Sequence, residues 1–480
     1  MYDKLLFELS HSRIEKNYFS SEVPVINPED VLPAELVRKD PIGLPELSEG
    51  EVVRHFISLS AKNHHVDKAM YPLGSCTMKY NPKVNETIAA KEEFVSIHPD
   101  QPNEMIQGAM EIMYRLQNLL LEITGLDDIT LQPAAGAHGE FAGLKMIRNY
   151  HKVKGNLHKN KILIPDSAHG TNPASVAISG MIAETIPSDE NGFIDMNVFL
   201  EKLDDTVAGI MITNPSTLGI FEKNFKVIAD HIHEKDGLVY MDGANLNALL
   251  GIVKPGDLGV DALHINLHKT FSTPHGGGGP GAGPVAVSGK LKDFLPVPVV
   301  RKNEQNEFYF SFDVPHTIGR LHPFYGNFGM ILRAYVYILT QGREGLKEVS
   351  KQAIINANYL LKKIGQLFEL PYKTTPMHEF VLSGENLKQY GFKTLDLAKR
   401  MLDYGVHAPT VYFPLIVKES IMIEPTETES KQMLDAFAEI MERIIEDMKN
   451  NPDTVKNAPL TTPVRRLNEV KANKELKIMD

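Results

Sequence analysis

The stretch from Val239 to Gly281 constrains this chain most, because two strand-like apolar runs within it each stop on a polar residue. Leu238 to Met241 delivers Asp242; Ala262 to Leu267 delivers His268 and Lys269, ahead of the cluster Gly276-Gly277-Gly278-Gly279-Pro280-Gly281. Short apolar runs bounded by turn formers read as buried strands, and in an open α/β sheet ligands collect at strand ends. A lysine there, followed by a loop too rich in glycine for regular structure, suits an amine that works covalently on a carbonyl. Pyridoxal phosphate is such a carbonyl, and its ring nitrogen needs a carboxylate to stay protonated and act as an electron sink, a role open to Asp242. Local composition is served equally well by a turn-capping Asp242, a solvated Lys269 and a flexible glycine lid, so the rest of the chain must decide.

Upstream, Met105 to Ile123 carries apolar residues at helical spacing and ends at Gly125, a suitable C-cap. A strand is expected at Asp128 to Gln132, then the small-residue turn Pro133-Ala134-Ala135-Gly136-Ala137-His138-Gly139, then a helix from about Glu140 to Lys152. Strand, small turn, helix is how a backbone offers amides and the positive end of a helix to a phosphate, although many α/β proteins have such turns for packing alone. Lys161 to Pro165 leads into Ser167-Ala-His169-Gly-Thr-Asn-Pro, where His169 is placed either to lie on an aromatic cofactor or to bond to backbone. Val207 to Asn214 ends on Asn214, Pro215, Ser216 and Thr217, equally readable as a ligand-side edge or an Asn-Pro turn. The alternation predicts a mostly parallel sheet with covering helices.

Residues 1 to 100, rich in proline, charge and short apolar pieces, read as an extended arm on another surface or subunit. Within them, composition favours a plain loop for Tyr71 to Pro82. A large domain over 101 to 335 follows, then a long helix to about Gln341 opening a smaller α/β domain over 336 to 450, and a surface tail over 451 to 480. The formal charge, 50 basic minus 61 acidic residues, is −11, which argues against nucleic acid or an anionic membrane as a general partner. A single cysteine, Cys76, excludes an internal disulfide framework and any multi-cysteine metal site, and no metal is expected. With no run long enough to span a bilayer and an N-terminus unlike a signal or transit peptide, the expected compartment is the cytoplasm.

Four motifs carry a resemblance. Gln132 to Glu140, Ser167 to Ser175, Asp242-Gly-Ala-Asn-Leu-Asn247 and His264 to Gly281 stand in the order found in aspartate-aminotransferase-like, fold type I pyridoxal phosphate enzymes. Individually they resemble the glycine decarboxylase (P-protein) family of the glycine cleavage system, as do Tyr71 to Pro82 and Phe324 to Gly329; the likeness runs from about residue 45 to 445. It implies an α/β large domain with a mostly parallel, seven-stranded-type sheet and a smaller α/β C-terminal domain. It implies that Lys269 is the Schiff-base lysine, Asp242 the ring-nitrogen partner, Ala244 a small residue under the ring and His169 the group on its face. Ala135, Gly136 and Ala137 would offer amides to the phosphate and His268 a side chain, with Asn214, Thr217 and Asn266 as further neighbours. Ala134 and Ala135 stand where fused relatives more often have a polar residue, which leaves the phosphate to the backbone. The length resembles subunit 2 of the split form, implying a subunit 1 partner in an α2β2-type assembly, glycine as substrate and a lipoylated H-protein as acceptor. Tyr71, Cys76, Thr77 and Arg320 are candidates for glycine's carboxylate, although Cys76 reads rather as a buried small apolar residue. A different pyridoxal reaction, a cofactor-free scaffold and a nucleotide-binding glycine loop are the rivals; the last wants a Lys and a Ser or Thr after the glycines, where Pro280 and Pro284 stand instead.

Overall fold

Runs of buried aliphatic residues alternating with amphipathic helices assemble one large twisted sheet. The computed structural model describes residues 4–10, 24, 26–40, 42–276 and 281–476, so Gly277, Gly278, Gly279 and Pro280 of the glycine cluster lie outside the described residues. Backbone contacts divide the chain into two units, Met1–His65 and Val66–Asp480. In the first, the helix Glu49–Ala61 opens with Ser48 as a capping box: its hydroxyl accepts from the Glu51 amide while the Glu51 carboxylate accepts from the Ser48 amide.

The second unit is built on seven strands: β1 (Asp128–Thr130), β2 (Lys161–Pro165), β3 (Ile182–Ile186), β4 (Val207–Thr213), β5 (Leu238–Gly243), β6 (Ala262–Ile265) and β7 (Val285–Val287). Their order is β1-β7-β6-β5-β4-β2-β3, parallel throughout except that β7 runs antiparallel to both its neighbours. Every residue of β4, β5 and β6 is buried, as expected of strands covered on both faces. The helix Gly136–Val153 lies tight against the sheet: a Cβ on its Gly143 would come within 2.3 Å of the Tyr240 ring on β5, so only glycine permits that approach. Pairing of β5 with β6 sets Asp242 beside His264.

Three local expectations shift. The phosphate-turn helix begins at Gly136 rather than near Glu140, because the small residues of the turn are themselves its first turn. β6 stops at Ile265, and His268 and Lys269 sit in a helical turn, Leu267–Thr270, just beyond it. The long helix, expected to end near Gln341, runs Phe328–Ile364, interrupted at Gly342 (φ 63°, ψ −179°); the apolar stripe resumes beyond it with Leu346, Val349, Ala353, Ala357 and Leu360, all buried.

A hairpin pairs β8 (Val299–Lys302) with β9 (Phe308–Ser311), and a three-stranded antiparallel sheet follows from β10 (Phe380–Ser383), β11 (Thr410–Val411) and β12 (Ser420–Ile423) in the order β10-β12-β11. The helix Lys431–Asn450 contributes Leu434, Phe437, Met441 and Ile444 to the buried cluster of that sheet. Phe380 faces Ile423 in the register, so Glu379 and Glu424 emerge side by side from one end. Among the described residues, no helix is long and apolar enough to cross a membrane.

Candidate active site

The carboxyl ends of β4, β5 and β6 open on a cavity of about 200 Å³, lined by residues that include Asp242, Lys269, His169, Gly136, Ala137 and Ser75. Two larger hollows, about 400 and 570 Å³, lie away from these strand ends, the first lined mainly by apolar side chains; size alone does not locate the chemistry.

Asp242 is 3% exposed, and its carboxylate accepts from Asn172 Nδ2 (3.0 Å) and the Ala244 amide (2.9 Å), with His264 Nε2 at 3.3 Å. Burial pushes its pKa up, but His264, the two hydrogen bonds and the Lys269 charge together hold it below the ordinary aspartate value, so it stays an anion. His264 thus stands with Nε2 against an Asp242 oxygen and Nδ1 within hydrogen-bond distance of the Tyr240 hydroxyl at 2.8 Å. Burial drives the Tyr240 hydroxyl well above its usual pKa, keeping it a donor. Glu140, 3% exposed, is held by Thr171 Oγ1 (2.8 Å) and Ser175 Oγ (2.7 Å).

Lys269 Nζ donates to the Ser75 carbonyl at 2.8 Å. Opposite, Gly136 and Ala137 open the helix Gly136–Val153, whose first backbone bond is Gly139 N–H to Ala135 O, leaving the preceding amides free of helical partners. His268 is pushed down to about 3 by burial, then by His275 and Lys269, and is therefore a neutral hydrogen-bonding group at physiological pH. Its Nδ1 has no hydrogen-bond partner, and neither do Thr213 Oγ1 or Asn266 Oδ1, which line the same cavity. Buried polar atoms without partners are costly; three converging on one cavity mark a place for a polar ligand.

The cavity gathers Lys269, Asp242, Ala244, His169, His268, Gly136, Ala137, Thr217 and Asn266. Ala135 caps the helix from just outside the lining, and Asn214 turns away: its Oδ1 accepts from the Glu222 amide at 2.9 Å. His169 Nδ1 bonds Thr171 Oγ1 (2.9 Å); desolvation and the Lys269 charge lower its pKa, although part of the side chain stays open to solvent. Thr217 donates to the Ser167 carbonyl. The proposed carboxylate ligands are not among the lining residues. Tyr71 stacks on His407 at 4.0 Å, Arg320 lies over Phe312 and Tyr325, Thr77 is bound to Glu424, and burial raises the Cys76 thiol. Sequence reading gave no role to Glu140, Thr171, His264 or Ser75. The first three sit inside the quoted motifs, where a polar residue next to a strand end is the available signal; Ser75 acts through its backbone and gives none.

A seven-stranded sheet with one reversed strand, an aspartate closing the central strand and a lysine one turn beyond the next define the class: an aspartate-aminotransferase-like, fold type I α/β protein. The family model described as "Glycine cleavage system P-protein" matches residues 23–308, and one described as "Glycine dehydrogenase, C-terminal domain" matches 349–462. A relative from Chloroherpeton thalassium, named probable glycine dehydrogenase (decarboxylating) subunit 2, is 54% identical over 100% of this chain and 98% of its own. Among solved structures, an inhibitor-bound glycine decarboxylase (P-protein) superposes with TM-score 0.71 at 20% identity, covering 86% of this chain and 94% of the other. A C-DES mutant with glycine covalently linked to its PLP cofactor does so at 0.60 and 13%, covering 78% and 96%. The chain belongs to the glycine cleavage system P-protein family.

Proposed function

We propose that this chain is the lysine-bearing subunit of a glycine decarboxylase that holds pyridoxal phosphate on Lys269, releases CO2 from glycine and passes the aminomethyl group to the lipoyl arm of an H-protein. The observation that carries the reading is the convergence of Lys269 and a buried, anionic Asp242 on one cavity. The residues fit the cofactor: Thr213 Oγ1, Asn266 Oδ1 and His268 Nδ1 lack partners there, and the amides at the start of the helix Gly136–Val153 suit a phosphate. Bound pyridoxal phosphate supplies a protonated ring that accepts the electron pair left when the carboxylate departs.

The chain does the rest. Asp242, braced by Asn172, Ala244 and the Tyr240–His264 pair, keeps a ring-nitrogen proton in place without moving. Lys269 would hold the cofactor through its side-chain amine, and as a free amine it donates from Nζ to Ser75 O. His169, held by Thr171 and neutral, is placed to exchange a proton at the open face of the cavity. Names of the relatives as subunit 2 support a partner subunit, and an α2β2 heterotetramer is the assembly we propose. The purified chain, alone and with subunit 1, should show a visible band that borohydride bleaches, with the label mapping to Lys269, and the complex should release CO2 dependent on glycine and lipoyl carrier. Lys269→Ala should abolish both; a labelled peptide elsewhere, or turnover without Lys269, refutes the reading.

A further inference from the structure

One segment does something its loop-like composition does not announce. Residues 74–79 are buried apart from Cys76 and Met78, which are half-buried, and they run between Lys269 and the C-terminal sheet. Ser75 and Thr77 have left-handed backbones (φ 63° and 46°), which a non-glycine residue keeps only where its surroundings hold it. What holds it are glutamates from the far end of the chain. Glu379 accepts from the Ser75 amide at 2.6 Å, and Glu424 accepts from the Thr77 amide (2.9 Å) and hydroxyl (2.6 Å). Lys79 is ion-paired to Glu427 at 2.6 Å and donates to the Thr270 carbonyl at 2.8 Å. On its other side the segment offers the Ser75 carbonyl to Lys269 Nζ.

Glu379 and Glu424 are fully buried, and the ring of His378 between them has neither nitrogen partnered, at 3.8 and 4.0 Å from their oxygens. A metal is the first ligand such a cluster suggests. Yet all four carboxyl oxygens already have hydrogen-bond donors, since Asn245 Nδ2 occupies the fourth at 3.2 Å, and burial and the neighbouring Glu424 push the Glu379 carboxyl well above its ordinary pKa, favouring a proton over a cation there. Three of the four oxygens are aimed at the strap.

We propose that Glu379, Glu424 and Glu427 clamp residues 74–79 as a positioning strap, whose Ser75 carbonyl receives the Lys269 amine whenever it is not bound to cofactor. The three glutamates are positioning residues: they act through Ser75 and Lys79, and tie the register of the C-terminal sheet to the reacting amine. The inference rests on the reading of Lys269 given above.

A pH signature follows. Burial, resisted by the Thr77 hydrogen bonds and Lys269, pushes the Glu424 carboxyl up to about 7, with Glu379, His378, Glu427 and Lys269 as the charged or titratable groups around it. Only the ionised form accepts freely from both Thr77 donors, so the grip is full above pH 7 and slackens as pH falls through it.

The test uses the complex with subunit 1 and lipoyl carrier, comparing wild type with Glu424→Ala, Glu424→Gln and Thr77→Val. Borohydride trapping of pyridoxal phosphate on Lys269 is read beside kcat, KM and folded fraction. Glu424→Ala should lower kcat at least about tenfold and slow trapping while leaving the glycine KM within about twofold. Glu424→Gln, which keeps an acceptor oxygen, should recover most of that kcat and lose the acid limb near pH 7; Thr77→Val should show a smaller loss in kcat. Wild-type kcat and trapping in Glu424→Ala, or losses in all three that merely follow folded fraction, would overturn the clamp. Should Glu424→Ala not fold, equal kcat and pH profiles in wild type, Glu424→Gln and Thr77→Val overturn it just as well. No trapping on Lys269 in wild type instead defeats the cofactor reading itself.

Discussion

Asp242→Asn separates electrostatics from architecture. The substitution keeps the shape but leaves one acceptor oxygen and an amide where the carboxylate now accepts from Asn172 and Ala244. If the remaining oxygen stays on the Ala244 amide, the new amide confronts Asn172 Nδ2, donor against donor, which costs about 1–3 kcal/mol if unrelieved. Relief is at hand: Asn172 Oδ1 has no partner, so rotating that amide presents an acceptor. The folding cost should therefore be about 1 kcal/mol, the difference between a hydrogen bond to a charged acceptor and one between neutral groups. The functional cost is a lost charge. A carboxylate about 4 Å from a ring cation at an effective dielectric near 20 contributes about 4 kcal/mol, so kcat should fall by about a thousandfold. The assay is glycine-dependent CO2 release beside a denaturation midpoint. A variant that keeps more than about a tenth of wild-type kcat shows that the Asp242 charge is not what sustains the reaction. A thousandfold fall that comes with gross loss of stability would assign the effect to folding.

His378 is held to about pH 3 by burial and by Lys269, against an ordinary 6.5, so the unfolded chain binds a proton there that the native state refuses. Its neutral form supports the fold above pH 6.5, and that support drains away as pH falls toward 3; His378→Leu should therefore gain stability relative to wild type at pH 5 but not at pH 8, as measured by denaturant titration, and an identical difference at both pH values refutes it. The cavity also bears on ground-state affinity. Among the described lining residues Lys269 is the one lysine or arginine, and the acidic residues Glu140 and Asp242 line the same cavity; with the Lys269 amine committed to the cofactor, a glycine carboxylate would be poorly stabilised there until it leaves as neutral CO2. Binding energy withheld from the ground state raises kcat, and a spectral titration should give a glycine Kd near or above about 1 mM; a micromolar value would contradict the argument.

The parts of the site legible in the sequence are those in which one short stretch does one job. Asp242 announces itself because an apolar run fixes its strand and the next polar residue must lie at its end, and Lys269, one helical turn past the next strand, is near enough for the same reasoning to find it. The turn at Ala135 to Ala137 announces itself by smallness, although Gly136 and Ala137 are already helix. Asn214 has the same credentials and turns the other way, because strand-end position does not fix side-chain direction once the following loop folds back to place the Glu222 amide against it. The strap was least legible. Its partners stand 304 and 347 residues away, and a period-2 reading sees Glu379 and Glu424 only as charges flanking two strands. Yet one glutamate immediately precedes its strand and the other immediately follows its own. Antiparallel neighbours bring the start of one strand to the end of the other, so pairing Phe380 with Ile423 is enough to set two carboxyls together in the interior. A buried pair of that kind demands donors, and the hydroxyls and turn-bent amides of residues 75–77 are what the chain supplies.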